Sequence, residues 1–440
     1  MHRRGLTAVT AAALVALTGC VAADAGDGNA ETVLTLRLWD EHAAAAYEDA
    51  VSAFSAANPD IAVEVDVVAW DEYFVALRDD VASGSGPDVF WLNGSYYEDY
   101  ADNRLVRPVS DLFDHDPTGA WSPQVISQYV KHGEMWGVPQ VMDGGTALYY
   151  NADALARAGV TPGELDGLTW HPTDPGRDSL LPLLQRLTLD EQGRNAADPD
   201  FDPSSVQQWG LNAGQELQNV ELNFIGSNGG RYQDDAGRLT LTDPATLEAY
   251  DYLVRLINEH RVAPPAAESN PGGEGPRERF LDGSLAVYLS GTYSLAQVAG
   301  EASFEWGIAE LPAGPAGQVT TTPGVVAAAN AAGEHPDETE RLLAWLGSPE
   351  GNEYLASAGA AVPAVTGARA AYDAYWSQAG VDVSPFFEVL AGNPQIDPAA
   401  GQNFGAMIAN AKPVLDQVFA GEIDVATGLA QAEEAANAVV

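Results

Sequence analysis

The sequence predicts an α/β protein built as two domains, on three observations. Between Thr32 and Leu92 the apolar period switches repeatedly between two and 3.6, in the order β-α-β-α-β, which implies a parallel sheet with right-handed crossovers. The chain has 440 residues, more than a single core organises. From Gly133 onward the pattern changes to short strands, turn-rich stretches and separate helices, as a second domain would require.

The elements follow in chain order. His2, Arg3 and Arg4 precede an apolar run from Leu6 to Leu17. About 12 residues rising ~1.5 Å each span ~18 Å, short of a ~30 Å hydrocarbon core, so the run reads as a cleavable leader. Leu17-Thr18-Gly19-Cys20 then resembles a bacterial lipobox, in which the thiol is acylated and the cut falls just before it. The expectation is a mature protein that begins at Cys20, lipid-anchored to the extracytoplasmic face of the cell membrane. Residues 21–31 hold almost nothing to bury and read as a flexible tether.

Structure is expected from Thr32. Leu34, Leu36 and Leu38 alternate with Val33, Thr35 and Arg37, a strand that stops at Trp39-Asp40. Residues 43–57 form a helix with Ala46, Ala50 and Phe54 on one stripe, ended by Asn58-Pro59. Residues 61–68 alternate again, 71–83 are a second helix closed by Gly84-Ser85-Gly86-Pro87, and 88–92 are a third, apolar strand. Further on, a hairpin is expected at 134–139, strands at 147–151 and 284–290, and helices at 152–158, 180–189, 246–260, 338–346, 350–358, 403–420 and 425–439.

Parallel sheets bind ligands outside the carboxyl ends of their strands. Here those ends read Trp39-Asp40 and Trp91-Leu92-Asn93-Gly94-Ser95-Tyr96, each pairing an aromatic ring with a side chain that hydrogen-bonds hydroxyls.

Composition narrows the function. Twenty basic residues against 63 acidic give a net charge of −43, a field that repels nucleic acid and anionic membranes and disfavours polyanionic ligands. Cys20 is the only cysteine, so no disulfide forms within the chain. The seven histidines never fall at i, i+4, and no cofactor or metal is expected. Asp190, Asn195, Asp198, Asp200 and Asp202 lack the order of a calcium loop and read as a solvated acidic stretch. Nucleophile-elbow, Walker and dinucleotide motifs are missing.

The chain resembles the family 1 extracellular solute-binding proteins of ATP-binding-cassette importers, the group that includes maltose-binding protein. The resemblance is carried by Leu36-Arg37-Leu38-Trp39-Asp40, Asn58-Pro59-Asp60-Ile61, Gly84-Ser85-Gly86-Pro87-Asp88, Gly137-Val138-Pro139 and Ala147-Leu148-Tyr149-Tyr150-Asn151. It continues through Asn228-Gly229-Gly230, Ser290-Gly291-Thr292-Tyr293, Leu343-Ala344-Trp345-Leu346 and Pro349-Glu350-Gly351, and residues 168–210 are similar to a sugar-binding lipoprotein branch. It implies a type II periplasmic-binding-protein-like fold, two hinged lobes around a ligand cleft. On that mapping lobe one is 32–142 plus 291–325, and lobe two 143–290 plus 326–440. The function implied is capture of a mono- or oligosaccharide, by a monomer, for delivery to a membrane permease, without catalysis.

Carried over by position, the resemblance implies ligand contacts at Trp39, Asp40, Asn93, Gly94, Ser95, Tyr96, Asp143, Gly144, Gly145, Tyr293, Gly324 and Phe404. Two departures stand out: Tyr293 replaces the family's usual tryptophan, and glycines follow Asp143 where bulkier residues are usual. Gly324 is read as a point of close backbone approach to the ligand. The rival ligands are a glycerol phosphoester, a polyamine or a peptide. The rival activity is a secreted glycoside hydrolase using Asp40 and Asp143 as paired carboxylates.

Overall fold

The computed structural model describes residues 32–113, 117–269 and 274–440. The expected leader, Cys20 and the tether lie outside them. Among the described residues no helix is long and apolar enough to cross a membrane.

Strand β1 (Thr32–Leu38) buries Leu34, Leu36 and Leu38 completely. Helix α1 (Glu41–Ala57) returns to β2 (Ile61–Val67), and α2 (Trp70–Ser83) returns to β3 (Val89–Asn93). Both β1–β2 and β1–β3 pair in parallel, as the β-α-β-α-β order predicts. Gly84 ends α2 in the left-handed conformation at φ 75°, where glycine pays no Cβ penalty. After a small hairpin, Val130–Lys131 with Glu134–Met135, the chain forms β4 (Val138–Met142). It then crosses to a second sheet.

That sheet contains β5 (Ala147–Asn151), β6 (Leu189–Asp190), β7 (Val206–Leu211), β8 (Leu285–Ser290) and β9 (Trp306–Ala309), in the order β9-β5-β8-β7-β6. Strand β10 (Gly324–Ala329) returns to the first sheet, whose order is β2-β1-β3-β10-β4, antiparallel to both of its neighbours. Strand β7 was not foreseen, because Gln208 sits at a buried strand position. Its amide is satisfied there by the carbonyls of Leu187 and Ala154 at 2.7 and 3.2 Å.

The cores correct the expected lobe boundaries. Leu295, Val298, Ala309 and Leu311 pack with the second sheet, since β9 pairs with β5 before the chain crosses back. Residues 325–329, Leu342, Leu343, Leu346, Leu355 and Val365 pack with the first. Segment 295–311 therefore belongs with lobe two, and most of 325–365 with lobe one. From Ala368 through Tyr372, Trp376 and Phe386 the chain is again in the second lobe. The lobes are joined near 142–146, near 320–324 and near 362–368. At the third, Met142 donates to the Val362 carbonyl at 3.0 Å and Ala364 to that of Gln140 at 3.0 Å.

Candidate functional site

The carboxyl ends of parallel strands from both sheets supply the site. In lobe one, β1 ends on Trp39 and Asp40. Asp40 caps α1, accepting from the Ala43 N–H at 2.9 Å, and the His42 backbone N–H also bears on its carboxylate. Trp39 is half-buried, edge-on to Trp91 at 4.9 Å, Tyr73 at 5.0 Å and Trp70 at 5.2 Å. Burial pushes the Asp40 carboxyl above its ordinary range, against the Ala43 amide, His42 and Arg277, which act downward.

Asp143 stands on the crossing between β4 and β5. Its Oδ1 accepts from the Thr292 hydroxyl at 3.1 Å, and Thr292 Oγ1 accepts in turn from the Gly144 N–H at 3.2 Å. Burial pushes Asp143 up to about 7, opposed by the Thr292 hydrogen bond and reinforced by the charge of Asp40. The two carboxyls expected as ligand contacts are therefore electrostatic neighbours, one from lobe one and one from the hinge.

Lobe two adds residues that the sequence reading missed. Strand β7 ends on Asn212, whose amide donates to Glu216 Oε1 at 2.9 Å and whose Oδ1 accepts from the Leu289 N–H at 2.7 Å. Burial pushes Glu216 up to about 7, and its charge bears on the Tyr293 hydroxyl, as does that of Asp143. A π-turn, Leu217–Glu221, follows; such turns concentrate at functional sites. Tyr293 is half-buried beyond β8, its ring folded over Gly291, where an added Cβ would meet Cε1 at 2.7 Å. Arg277 lies close enough to act on both Asp40 and Tyr288. The missed signal was an Asn-x-x-x-Glu spacing directly after a strand end, hidden because β7 itself was not read.

A second contact joins the lobes. Tyr96 stacks on Phe74, with centroids 3.9 Å apart and planes at 16°, and meets Phe404 edge-on at 5.7 Å. A cavity of about 800 Å³ opens between Glu98 and Lys131 of lobe one and the 229–237 and 394–403 segments of lobe two. It is lined by none of the three carboxyls.

Other expected contacts have work within the fold. Asn93, Gly94 and Ser95 are buried, and the Asn93 Oδ1 has no hydrogen-bond partner among the described residues. Gly144 and Gly145 are glycines because of packing: a Cβ on Gly144 would sit 2.9 Å from Thr292 Cγ2, and one on Gly145 2.3 Å from Val389 Cγ1. Gly324 is likewise packed against its own chain. A Cβ there would meet Val125 Cγ1 at 2.9 Å, its N–H donates to Gln128 Oε1 at 2.9 Å, and its carbonyl accepts from the Tyr129 hydroxyl at 2.5 Å. Asp190 is buried and holds its loop together, accepting from the N–H groups of Gln192, Arg194 and Asp202 and from Arg194 Nε. Among the described residues no group of three or more His, Cys, Asp or Glu side chains is placed to hold a metal ion.

Glu221 gives this lobe a pH dependence. It is 2% exposed, accepts from the Tyr250 hydroxyl at 2.5 Å, and burial pushes it up to about 7. A carboxyl raised in the folded state keeps its proton there while the unfolded chain loses it, so stability falls as pH rises from about 4.5 to about 7. A shift of that size is worth roughly 3 kcal/mol. Urea midpoints across this window should fall for the wild type and fall less for Glu221→Gln. Equal slopes would place the titration elsewhere.

Two α/β lobes whose strand ends converge on carboxyls and aromatic rings across a hinge define a two-lobed ligand-binding protein. The chain belongs to the bacterial extracellular solute-binding protein family, whose profile matches residues 39–353. Among solved structures it is similar to UspC of M. tuberculosis, 48% identical, with 93% of this chain and 100% of that one covered at a TM-score of 0.73. It shares its fold with Lmo0181 of Listeria monocytogenes, solved with cycloalternan, at 20% identity, 93% and 99% coverage and a TM-score of 0.78. A lactose-binding protein of Rhizobium radiobacter is 25% identical over 331 residues, 71% of this chain and 67% of that one. The match to putative binding proteins of Brucella, 23% identical, spans 65% of their length. The fold is the type II periplasmic-binding-protein fold. The family is one of binding proteins and not of enzymes, as expected, and the hydrolase alternative is set aside.

Proposed function

We propose that this chain captures a mono- or oligosaccharide in the cleft between its lobes and delivers it to the permease of an ATP-binding-cassette importer, anchored at the outer membrane face through Cys20. The observation that carries the reading is the convergence of Asp40 with Trp39, Asp143, and Glu216 with Tyr293 from the two lobes and the hinge. Carboxyls raised to about 7, as Asp143 and Glu216 are, both donate and accept near neutral pH, which suits the hydroxyls of an uncharged polyol. Aromatic faces cover the apolar C–H face of a sugar ring. An anionic phosphoester would meet these carboxyls, against which Arg277 and His42 stand near Asp40. The carboxyls alone would also favour a polyamine, which makes it the informative competitor.

A thermal-shift panel tests the reading with glucose, lactose, maltose, maltotriose, mannobiose, spermidine and glycerol 3-phosphate. A ligand at ~100 times its Kd stabilises by ~2.7 kcal/mol. A saccharide should raise the melting temperature, be recovered intact, and shrink the radius of gyration in solution as the lobes close. Stabilisation by spermidine or the phosphoester alone would overturn the carbohydrate assignment.

A further inference from the structure

Trp70 opens α2 and is 41% exposed, yet the start of that helix does not need its ring: Ala69 stands at the N-cap and no side chain caps the turn. Tyr73, Phe74 and Leu77 bury the helix against lobe one without it. The ring is nonetheless held in one place, edge-on to Trp39 at 5.2 Å and 73° and to Phe74 at 5.3 Å and 89°. Trp39 leans in turn on Trp91, which is 2% exposed. Exposure therefore rises along Trp91, Trp39 and Trp70, and the row of rings runs from the lobe core to its rim past the backbone that carries Asp40.

We propose that Trp70 is the outer stacking platform of the cleft, covering a sugar ring beyond the one held at Asp40 and so favouring oligosaccharides over their monosaccharides. The proposal rests on the carbohydrate reading. Two edge-to-face contacts fix the indole before any ligand arrives, so little rotamer freedom is lost on binding and the stacking contact is retained as affinity. A ring present only to cover Trp39 would affect every ligand alike through the fold. A platform at the rim acts only on ligands long enough to reach it.

Calorimetry on the wild type, Trp70→Ala and Trp70→Phe with three series separates these cases: glucose, maltose and maltotriose; mannose, mannobiose and mannotriose; galactose and lactose. In the series that binds, Trp70→Ala should weaken the longest sugar by about tenfold, equal to ~1.4 kcal/mol, with a loss that shrinks toward the monosaccharide. Trp70→Phe should retain most of that affinity, and both variants should melt as cooperatively as the wild type. A loss independent of chain length, or none, overturns the proposal and leaves the carbohydrate reading standing. So does a wild type that binds only monosaccharides. A wild type that binds none of the three series overturns both.

Discussion

Asp143→Ala should weaken binding of the saccharide that stabilises the wild type by roughly 10- to 150-fold at pH 8, from the ~1.5–3 kcal/mol of a hydrogen bond to a charged group. The substitution removes a half-buried acceptor and also releases the Thr292 hydroxyl that Asp143 holds at 3.1 Å, loosening the link from the Gly144 N–H through Thr292. Thr292→Val separates the two effects, since it breaks the link and keeps the carboxyl. Because Asp143 is pushed up to about 7, it is largely protonated at pH 6, and the penalty for losing it should be smaller there. Asp40 needs a different substitution: Asp40→Ala removes the α1 cap together with the charge, whereas Asp40→Asn keeps an oxygen for the Ala43 N–H. Asp198→Ala, in the acidic loop, serves as the control and should bind as the wild type does. Asp143→Ala binding like the wild type at pH 8 while folded would remove Asp143 from the site.

Gly145→Ala should be among the most damaging single-methyl additions in the hinge. The new Cβ would lie 2.3 Å from Val389 Cγ1, 2.9 Å from Thr320 Cγ2 and 3.2 Å from the Phe386 carbonyl. That carbonyl cannot retreat freely, because it accepts from the Gly145 N–H itself at 2.7 Å. Overpacking of this kind costs about 1–3 kcal/mol. Denaturant midpoints should fall accordingly, and Val389→Ala in the same chain should restore part of the loss by removing the nearest methyl. The coupling energy of this double-mutant cycle should lie within ~0.5–3 kcal/mol. Gly94→Ala is the contrast: its Cβ would find only Gln128 Oε1, at an ordinary 3.6 Å, and should be tolerated. Additivity of Gly145→Ala and Val389→Ala would mean the hinge relaxes another way.

The residues themselves determined the first half of lobe one and the two strand ends at Asp40 and Asn93. Alternating leucines, a helix stripe and the turn at Gly84 are local signals, and local signals suffice where each element buries its own periodic face. Trp39 beside Asp40 was legible for the same reason, because the strand must stop where its apolar alternation stops. Strand β10 was not legible as a strand. Its Ala327-Ala328-Ala329 run has high helix propensity, and only the slot between β3 and β4 makes it extended. Strand β7 was hidden by Gln208, a polar residue whose burial is offset by carbonyls 21 and 54 residues away in the chain. With β7 unread, Asn212 and Glu216 could not be placed at a strand end.

Which glycines are held by packing was also decided only by tertiary contact. The sequence shows Gly145 and Gly324 but not Val389 and Val125 lying against them. The partition of 295–311 and 325–365 between the lobes depended on whether β9 pairs with β5 before β10 reaches β3, a choice of long-range partner that no local period encodes. The raised pKa values of Asp143 and Glu216 come from burial, and burial is a property of the whole fold. The chain's local patterns point to Asp40 but not to Glu216; the packing of two lobes across three crossings brings Asp40, Asp143, Glu216 and Tyr293 within reach of one another's charge.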